Sequence, residues 1–597
     1  MQVQKYSVGQ HPISVLLAWV ESGAIAIPEI QRPFVWEASK VRDLMDSLYQ
    51  GFPVGYIITW QNPDVKLKDG SLAKGKKIMI DGQQRITALK AALLGSYVID
   101  KEYEKVRIKI AFNPVEEKFD VQSAAMLKDK RWIPDISEVV NSSSMLKVVK
   151  KYLLENPEAD EERIEKAITD LVDISKKTIG IIELASDLDI DTVTEIFIRI
   201  NSQGVVLSQA DFAMSKIAAN ETYGGNQLRK AIDYFCRLST APEFYEHIRD
   251  NDSAFANSDY FQKMKWLKDE KEDLYDPSYN DMLRVAFTKE FGRGKFADLV
   301  NLLSGRNFET RTFEESIAQE AYEKLRKGVL HFMNETEFKR FLMIIKSAGF
   351  IVPEMIRSQN ALNMAYVIYL YLREDDVPAS EIGRLVSRWF VYSVLTGRYS
   401  GSAESMFDFD IKQIYSRDFK SYLQEKEFGE LSDAFWDFEL VQRLNTPVIS
   451  SPFYNIYLAA QVKNNDKGFL SRDITVANLI AYRGDDHHIF PKRYLKGNDL
   501  NRTQFNQIAN LVYMQQEINI KIGHRSPDVY FKELLEQCNG GPKKYGAIDN
   551  TDELYDNLER HCIPRDIFYM NIEHYNDFLR KRRALMAQKI KRYYQGL

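Results

Sequence analysis

The chain has 597 residues, with 80 Lys and Arg against 85 Asp and Glu and a formal net charge of −5. This length exceeds a single hydrophobic core and predicts roughly two to four domains. The charge balance excludes a protein that binds nucleic acid through overall basicity, so any DNA contact must come from a local basic patch.

Cysteine usage and hydropathy narrow the class of protein further. The three cysteines are few and widely spaced, which excludes a disulfide framework and a zinc knuckle. The longest early apolar run, residues 13–20, is too short to cross a bilayer and lacks a leader's basic flank. These features predict a cytoplasmic protein without a membrane segment.

The N-terminal third alternates helical and strand patterns. Apolar residues at helical spacing predict a helix over 13–20 that ends at Gly23, and another from Ser39 to Gly51. A strand, YIITW, follows. The segment KKIMIDGQQRITALKAALLG then predicts a strand, an Asp-Gly turn and a helix.

The residues DGQQR (81–85) therefore fall where a strand turns into a helix N-terminus. Exposed N–H groups and the helix dipole favour an anion there, and Gly82 allows close approach of the backbone. Arg85 suits bidentate contact with phosphate, and Asp81 suits a metal or a water. The structural alternative is that Asp81 caps the helix and Arg85 pairs with a carboxylate.

Further along, VRIKIAF (106–112) alternates apolar and basic or small residues, which predicts one strand with a single buried face. TIGIIEL (178–184) predicts another strand. From about 215 to 440 the periodicity is helical, and its frequent aromatic residues are more typical of core than of a base-stacking surface. No site is assigned to this middle region.

The stretch from Asp485 to Asn519 carries the clearest chemistry. It sets His487 beside His488, then Asn510 before a predicted strand, LVYM, and Asn519 on a predicted helix over 516–522. One imidazole can deprotonate water while its neighbour and a later side chain hold a divalent cation. This order of groups is what a one-metal nuclease needs. A pair of polar surface histidines is the alternative, and the full series of motifs favours the nuclease.

These motifs resemble one known family. IPEIQRPFVW (27–36), DGQQR and FIRINSQGVVLS (197–208), together with HHIFP and its two later asparagines, resemble the GmrSD-type (type IV) modification-dependent restriction endonucleases. The resemblance implies an N-terminal ParB/sulfiredoxin-like domain that binds and hydrolyses a nucleoside triphosphate. It also implies a C-terminal ββα-metal (HNH) nuclease.

The family motifs also imply roles for particular residues. Those implied for nucleotide binding are Gln31, Arg32, Asp81, Gly82, Gln83, Gln84, Arg85, Arg199 and Asn201. In the nuclease motif, His488 matches the general base and Asn510 the residue that holds its loop. His487 and Asn519 match the metal ligands. Because an acidic residue is commoner at position 487, Asp485 and Asp486 remain alternative ligands.

The expected fold is α+β and multidomain. It has a ParB-like nucleotide-binding domain over 1–215, a helical connecting region over 216–440 and a nuclease domain over 441–597. The expected activity is cleavage or nicking of modified foreign DNA in phage defence. The rival is a nucleotide-controlled DNA sensor, or a ParB-like clamp, in which cleavage is secondary.

The expected cofactors are Mg²⁺ or another divalent cation and a nucleoside triphosphate (GTP, ATP or UTP, not distinguished). The expected partner is double-stranded, modified DNA, with a homo-oligomer left open. The basic tail RKRRALMAQKIKRYY (580–594) is read either as a DNA-binding patch or as a solvated helix face.

Overall fold

The computed structural model describes residues 5–26, 36–61, 77–99, 105–186, 188, 209–218, 220, 222–271, 273–375, 377–482, 484 and 486–597. The chain forms two compact units, one of Met1–Arg229 with Leu299–Ala321 and one of Lys230–Asp298 with Tyr322–Leu597. It is a mixed α+β protein in which helices predominate. The three-domain division stays a prediction.

The strands of the described residues are, in chain order, β1 (Tyr6–Pro12), β2 (Ile25–Ala26), β3 (Tyr56–Gln61), β4 (Lys77–Asp81), β5 (Val98–Ile99), β6 (Lys105–Val106), β7 (Ile110–Asn113), β8 (Lys118–Val121), β9 (Thr178–Leu184), β10 (Asp486–His488) and β11 (Leu511–Tyr513). The main sheet has the order β1-β9-β3-β4-β2. It is mixed, because β3 runs parallel to β9 and antiparallel to β4.

Helices of the described residues up to residue 303 are Ile13–Glu21, Ala38–Gln50, Gln83–Leu93, Ile136–Val140, Met145–Glu155, Glu161–Asp173, Gln209–Ala218, Gly225–Thr240, Phe244–Asn251, Ser253–Ala256, Asp259–Lys263, Tyr279–Phe291 and Phe296–Leu303. Later ones are Glu315–Phe332, Glu335–Ser347, Gln359–Glu374, Ala379–Thr396, Ala403–Ser416, Phe419–Glu430, Leu440–Arg443, Pro452–Lys463, Val476–Ala481, Lys492–Lys496, Arg502–Phe505, Gln516–Ile522, Pro527–Cys538, Thr551–Arg560 and Tyr575–Gln595. Short 3₁₀ or π turns are Ile174–Lys176, Lys265–Asp269, Pro353–Met355, Phe435–Glu439, Ile508–Asn510, Arg565–Tyr569 and Ile572–His574.

The predicted order of elements around the DGQQR segment is confirmed. The helix Ala38–Gln50 buries Val41, Leu44, Met45 and Leu48 on one face, and Gly51 ends it in the left-handed conformation (φ 78°). β4 then leads through Gly82 into the helix Gln83–Leu93. These elements share one apolar core with the helix Ile13–Glu21.

The single strand predicted over 106–112 is wrong, because the structure divides it into β6 and β7. Between them the Arg107 guanidinium donates to the Ala91 carbonyl (2.8 Å) and to the Asp135 carboxylate (3.1 Å). A half-buried guanidinium needs such partners, and they turn the chain away from the strand path. All four residues of β7 are buried, so the predicted single buried face is also absent.

Within the described residues, every helix is too short or too polar to span a lipid bilayer.

Candidate functional sites

The DGQQR segment lies at the strand-to-helix turn that the sequence predicts. Gly82 takes φ 99° directly before the helix Gln83–Leu93, and its carbonyl accepts the Ile86 amide (3.0 Å). Arg85 donates through Nη1 to the Tyr56 carbonyl at 2.6 Å. The Arg85 guanidinium is thus fixed beside the start of β3, with further N–H donors to offer.

Gly82 is the position in this segment that a side chain would disturb most. A Cβ there would lie 3.0 Å from Ile57 Cγ1, and φ is in the left-handed region. We expect Gly82→Ala to cost roughly 1–3 kcal/mol of unfolding free energy. Gly23→Ala is the matched control, because Gly23 has φ 71° with nothing within 4 Å of its Cβ position. Urea unfolding that gives equal losses for both variants would contradict this close-approach argument.

Other residues of the same predicted set are outside the described residues. These are Gln31, Arg32, Arg199 and Asn201, together with the alternative metal ligand Asp485. The predicted nucleotide site is therefore represented here by its DGQQR part alone.

In the other unit, the predicted strand and helix after the histidine pair are confirmed. β10 pairs antiparallel with β11, and the helix Gln516–Ile522 begins three residues after β11 ends. Side chains alternate along a strand, so Asp486 and His488 lie on one face of β10 and His487 on the other. His487 is buried, and His488 and Asp486 are half-buried.

His488 is held by an amide that the sequence analysis did not single out. Its Nε2 lies 3.0 Å from Asn506 Oδ1. An amide oxygen only accepts, so Nε2 donates and the lone pair of the neutral ring is on Nδ1. Burial lowers the pKa of His488 and so favours the neutral ring; the hydrogen bond with Asn506 partly offsets this effect, and Lys492 and His487 add to it. Asn506 lies four residues before Asn510, and this spacing does not mark it in the sequence as a site residue.

Asn510 is fully buried and bonds the loop that follows the histidines. Its Oδ1 accepts the Phe490 amide (2.9 Å), and its Nδ2 donates to the carbonyls of Phe490 and Phe505 (3.2 Å each). Its own carbonyl accepts the Ile489 amide at 2.8 Å. These bonds tie the two residues after His488 to the residue that directly precedes β11.

The basic tail is partly solvated, with Arg580 and Arg592 exposed, and its role as a DNA-binding patch stays a prediction. It forms the helix Tyr575–Gln595, in which Arg582 and Lys589 are buried. Arg582 donates to the carbonyls of Ala509 (2.9 Å) and Leu511 (2.8 Å), which flank Asn510. Several other cations of this helix pair with nearby carboxylates. Arg582 thus joins the C-terminal helix to the backbone at the start of β11.

Comparison with known proteins identifies the N-terminal region. Residues 13–218 match the family model described as GmrSD restriction endonuclease, N-terminal domain. Residues 13–218 thus resemble this domain of the family and are termed the GmrSD domain. The resemblance inferred from the DGQQR segment is thereby confirmed. The matched residues account for the N-terminal part of the chain, and the match does not reach the histidine pair.

One relative is similar along nearly the whole chain. An uncharacterised protein of the archaeon Methanocaldococcus jannaschii is 22% identical over 629 aligned positions, which cover 95% of this chain and 96% of the relative. The segment that follows the GmrSD domain therefore has a counterpart in that protein.

The donor set around β10 suits a hard or borderline divalent cation. It comprises the His487 imidazole, the Asn519 amide on the helix Gln516–Ile522 and, on the face of β10 opposite His487, the Asp486 carboxylate, whose Oδ1 accepts the Tyr454 hydroxyl (2.8 Å). Imidazole, amide and carboxylate donors fit Mg²⁺, Mn²⁺ or a later transition metal.

A second group of metal-type ligands has another explanation. Among the described residues, Glu290, His331 and Glu374 bring ligand atoms within 4.8 Å of one another. Lys289 Nζ bonds both carboxylates, and Lys327 Nζ lies 3.0 Å from Glu290. These ammonium groups already neutralise the carboxylates, so we interpret the group as a partly exposed ion-pair network.

Asn506 gives a direct test of how His488 is oriented. We expect Asn506→Ala to slow DNA cleavage by about 10- to 100-fold, since a misdirected imidazole loses that order of rate. The control is Asn498→Ala, which removes an exposed amide that donates to the Tyr494 carbonyl. Equal cleavage rates for both variants in a plasmid-cleavage assay would show that Asn506 does not orient His488 for the reaction.

His561 makes the fold around this site sensitive to acid. It is buried, with Nε2 2.8 Å from the Lys467 carbonyl and Nδ1 3.2 Å from Gln461 Nε2, and burial lowers its pKa to about 3. The unfolded chain binds the proton below about pH 6.5, so folding stability falls as the pH drops from there. We expect a loss of about 1.4 kcal/mol per pH unit from this group. Urea unfolding near pH 6 and pH 4 should show a shallower pH dependence for His561→Gln, and identical slopes would refute the assignment.

Proposed function

We propose that the chain is a divalent-metal-dependent DNA endonuclease of the restriction, phage-defence type, with its cutting centre in residues 486–522. One observation carries the proposal. In a strand pair followed by a helix, the His488 imidazole is oriented by one amide, Asn506, and its loop is fixed by another, Asn510. The GmrSD domain in the same chain supports this reading, since that family is described as restriction endonucleases.

In the proposed reaction, His488 is the general base. Its Nδ1 takes a proton from a water molecule as the water oxygen forms a bond to the phosphorus of a DNA phosphodiester. The bond from phosphorus to the 3′ oxygen breaks, and that oxygen leaves with the bonding electron pair and takes up a proton. Asn506 keeps the imidazole in the tautomer that this step needs.

His487 and Asn519, with Asp486 as the alternative or additional donor, would hold the cation, most simply Mg²⁺. A bound divalent cation supplies positive charge that stabilises the phosphate and the leaving oxygen.

The GmrSD domain would bind a nucleoside triphosphate and so control cutting. Two features support an anion site at its DGQQR segment. Gly82 directly precedes the N-terminus of the helix Gln83–Leu93, and among the described residues Arg85 donates one N–H, from Nη1 to the Tyr56 carbonyl. The other motif residues, Gln31, Arg32, Arg199 and Asn201, which lie outside the described residues, would complete the site.

A cleavage panel tests the proposal. The full-length protein is incubated with Mg²⁺ and with unmodified, hydroxymethylated, glucosylated or phosphorothioated DNA, each with and without GTP, ATP or UTP. We expect metal-dependent cutting or nicking of at least one modified substrate, altered by a triphosphate. Binding of these DNAs without any strand cleavage would favour the sensor or clamp function instead.

A further inference from the structure

A cavity of about 600 Å³ lies directly beside the proposed cutting centre. Asp486 and Tyr513, which face each other across the β10–β11 pair, form part of its wall. Asn506, the residue that orients His488, forms another part. The cavity and the proposed general base therefore share an amide side chain, and a ligand in the cavity would lie next to the reacting phosphate.

The lining of the cavity is chiefly apolar and aromatic. Met355, Leu458 and Ile480 contribute aliphatic surface, and Tyr454 contributes a ring whose hydroxyl is fixed on Asp486. Asn455 stiffens this wall by donating to the carbonyls of Glu354 and Met355. A rigid, largely apolar cavity of this size with a few polar groups is typical of a site that encloses one small organic group.

The charged side chains of the cavity are two arginines, Arg357 and Arg502, and two carboxylates, Glu354 and Asp486. Arg357 and Arg502 are exposed at its edge, and within the described residues neither forms an ion pair. A guanidinium that is not neutralised by the protein is available to a phosphate, which it can bind with two parallel hydrogen bonds. Apolar and aromatic walls with cations at the edge match a nucleotide, whose base is flat and apolar on its faces and whose phosphates are anionic.

We propose that this cavity receives one nucleotide extruded from the DNA helix, with its base against the tyrosine-lined wall and its flanking phosphates on Arg357 and Arg502. The inference rests on the proposed function and adds a binding step to it. Extrusion of a nucleotide beside β10 would draw the adjoining phosphodiester toward His488. Contacts between the cavity and the extruded base would also let the protein discriminate between bases, including substituted ones, before cleavage.

Ile449 offers a way to fill the cavity without disturbing the core. It lines the cavity and is 45% exposed, so Ile449→Trp adds bulk at the mouth. Val448→Trp is the matched control, because Val448 is 52% exposed, adjacent in sequence and outside the lining. Arg502→Ala is a second test variant, because Arg502 lines the cavity. Arg493→Ala is its control, because Arg493 does not line the cavity.

The measurement is binding of the full-length protein, in EDTA and at fixed salt, to a paired DNA duplex and to the same duplex with one mismatched pair. A mismatch lowers the cost of extrusion, so the wild-type protein and Val448→Trp should bind the mismatched duplex about tenfold more tightly. Ile449→Trp should lose that preference. Arg502→Ala should weaken binding of both duplexes relative to Arg493→Ala.

Equal affinity of the wild-type protein for both duplexes, or a preference that survives in Ile449→Trp, would overturn the proposal. This readout does not depend on cleavage. A preference without metal-dependent cutting would preserve the cavity and refute the nuclease. Metal-dependent DNA cleavage without a preference for the mismatched duplex would preserve the nuclease and refute the nucleotide-binding cavity.

Discussion

His488→Ala should lower the rate of metal-dependent DNA cleavage by about two to four orders of magnitude, the usual contribution of a general base. The imidazole is half-buried, its Nε2 is bonded to Asn506, and burial lowers its pKa, so the neutral ring presents a lone pair on Nδ1. Alanine removes that lone pair and leaves the strand pairing through the backbone intact.

The control is His247→Ala, which removes an exposed histidine on the helix Phe244–Asn251. Single-turnover cleavage of a plasmid, with DNA binding measured in parallel, separates the chemical step from association. We expect binding within about twofold of wild type for both variants, since an uncharged side chain contributes little to phosphate affinity. Cleavage by His488→Ala at the rate of His247→Ala would end the assignment of His488 as base.

Asn510→Ala should damage both stability and cleavage. The Asn510 side chain is fully buried and satisfies one amide and two carbonyl groups of the backbone around Phe490 and Phe505. Leaving buried polar groups unpaired costs about 1–3 kcal/mol each, so we expect a loss of roughly 3 kcal/mol or more. The loop after His488 would lose its anchor, and cleavage should fall by at least about 100-fold.

Asn510→Asp distinguishes this network from simple packing. Aspartate has the same shape and still accepts the Phe490 amide, but its second oxygen would face two carbonyl oxygens that need a donor. We therefore expect Asn510→Asp to be about as destabilised as Asn510→Ala in urea unfolding. Wild-type stability for the aspartate variant would show that the amide's donors are dispensable.

Features set by short-range sequence pattern could be predicted. Gly82 marks the strand-to-helix turn because an Asp-Gly pair between an apolar strand and an apolar helix leaves few other conformations. The strand before Gln516 and the helix over 516–522 follow from their periodicity in the same way. The GmrSD assignment rests on motifs of this local kind.

Features set by contacts distant in sequence could not be predicted. Arg107 divides an otherwise regular strand pattern because its partners are Ala91 and Asp135. Arg582 belongs to a run of cations that resembles a DNA-binding patch, and only the fold shows it buried against Ala509 and Leu511. Asn506 has no distinguishing pattern, since its role depends on the position of the His488 ring.

The most direct test of the account is cleavage of modified DNA by the full-length protein across a Mg²⁺ and Mn²⁺ titration, beside His487→Ala and Asn519→Ala. The account predicts cutting that requires the cation, stops in EDTA, and needs markedly more metal or fails in both variants. Cutting that continues in EDTA, or wild-type metal dependence in both variants, would contradict it.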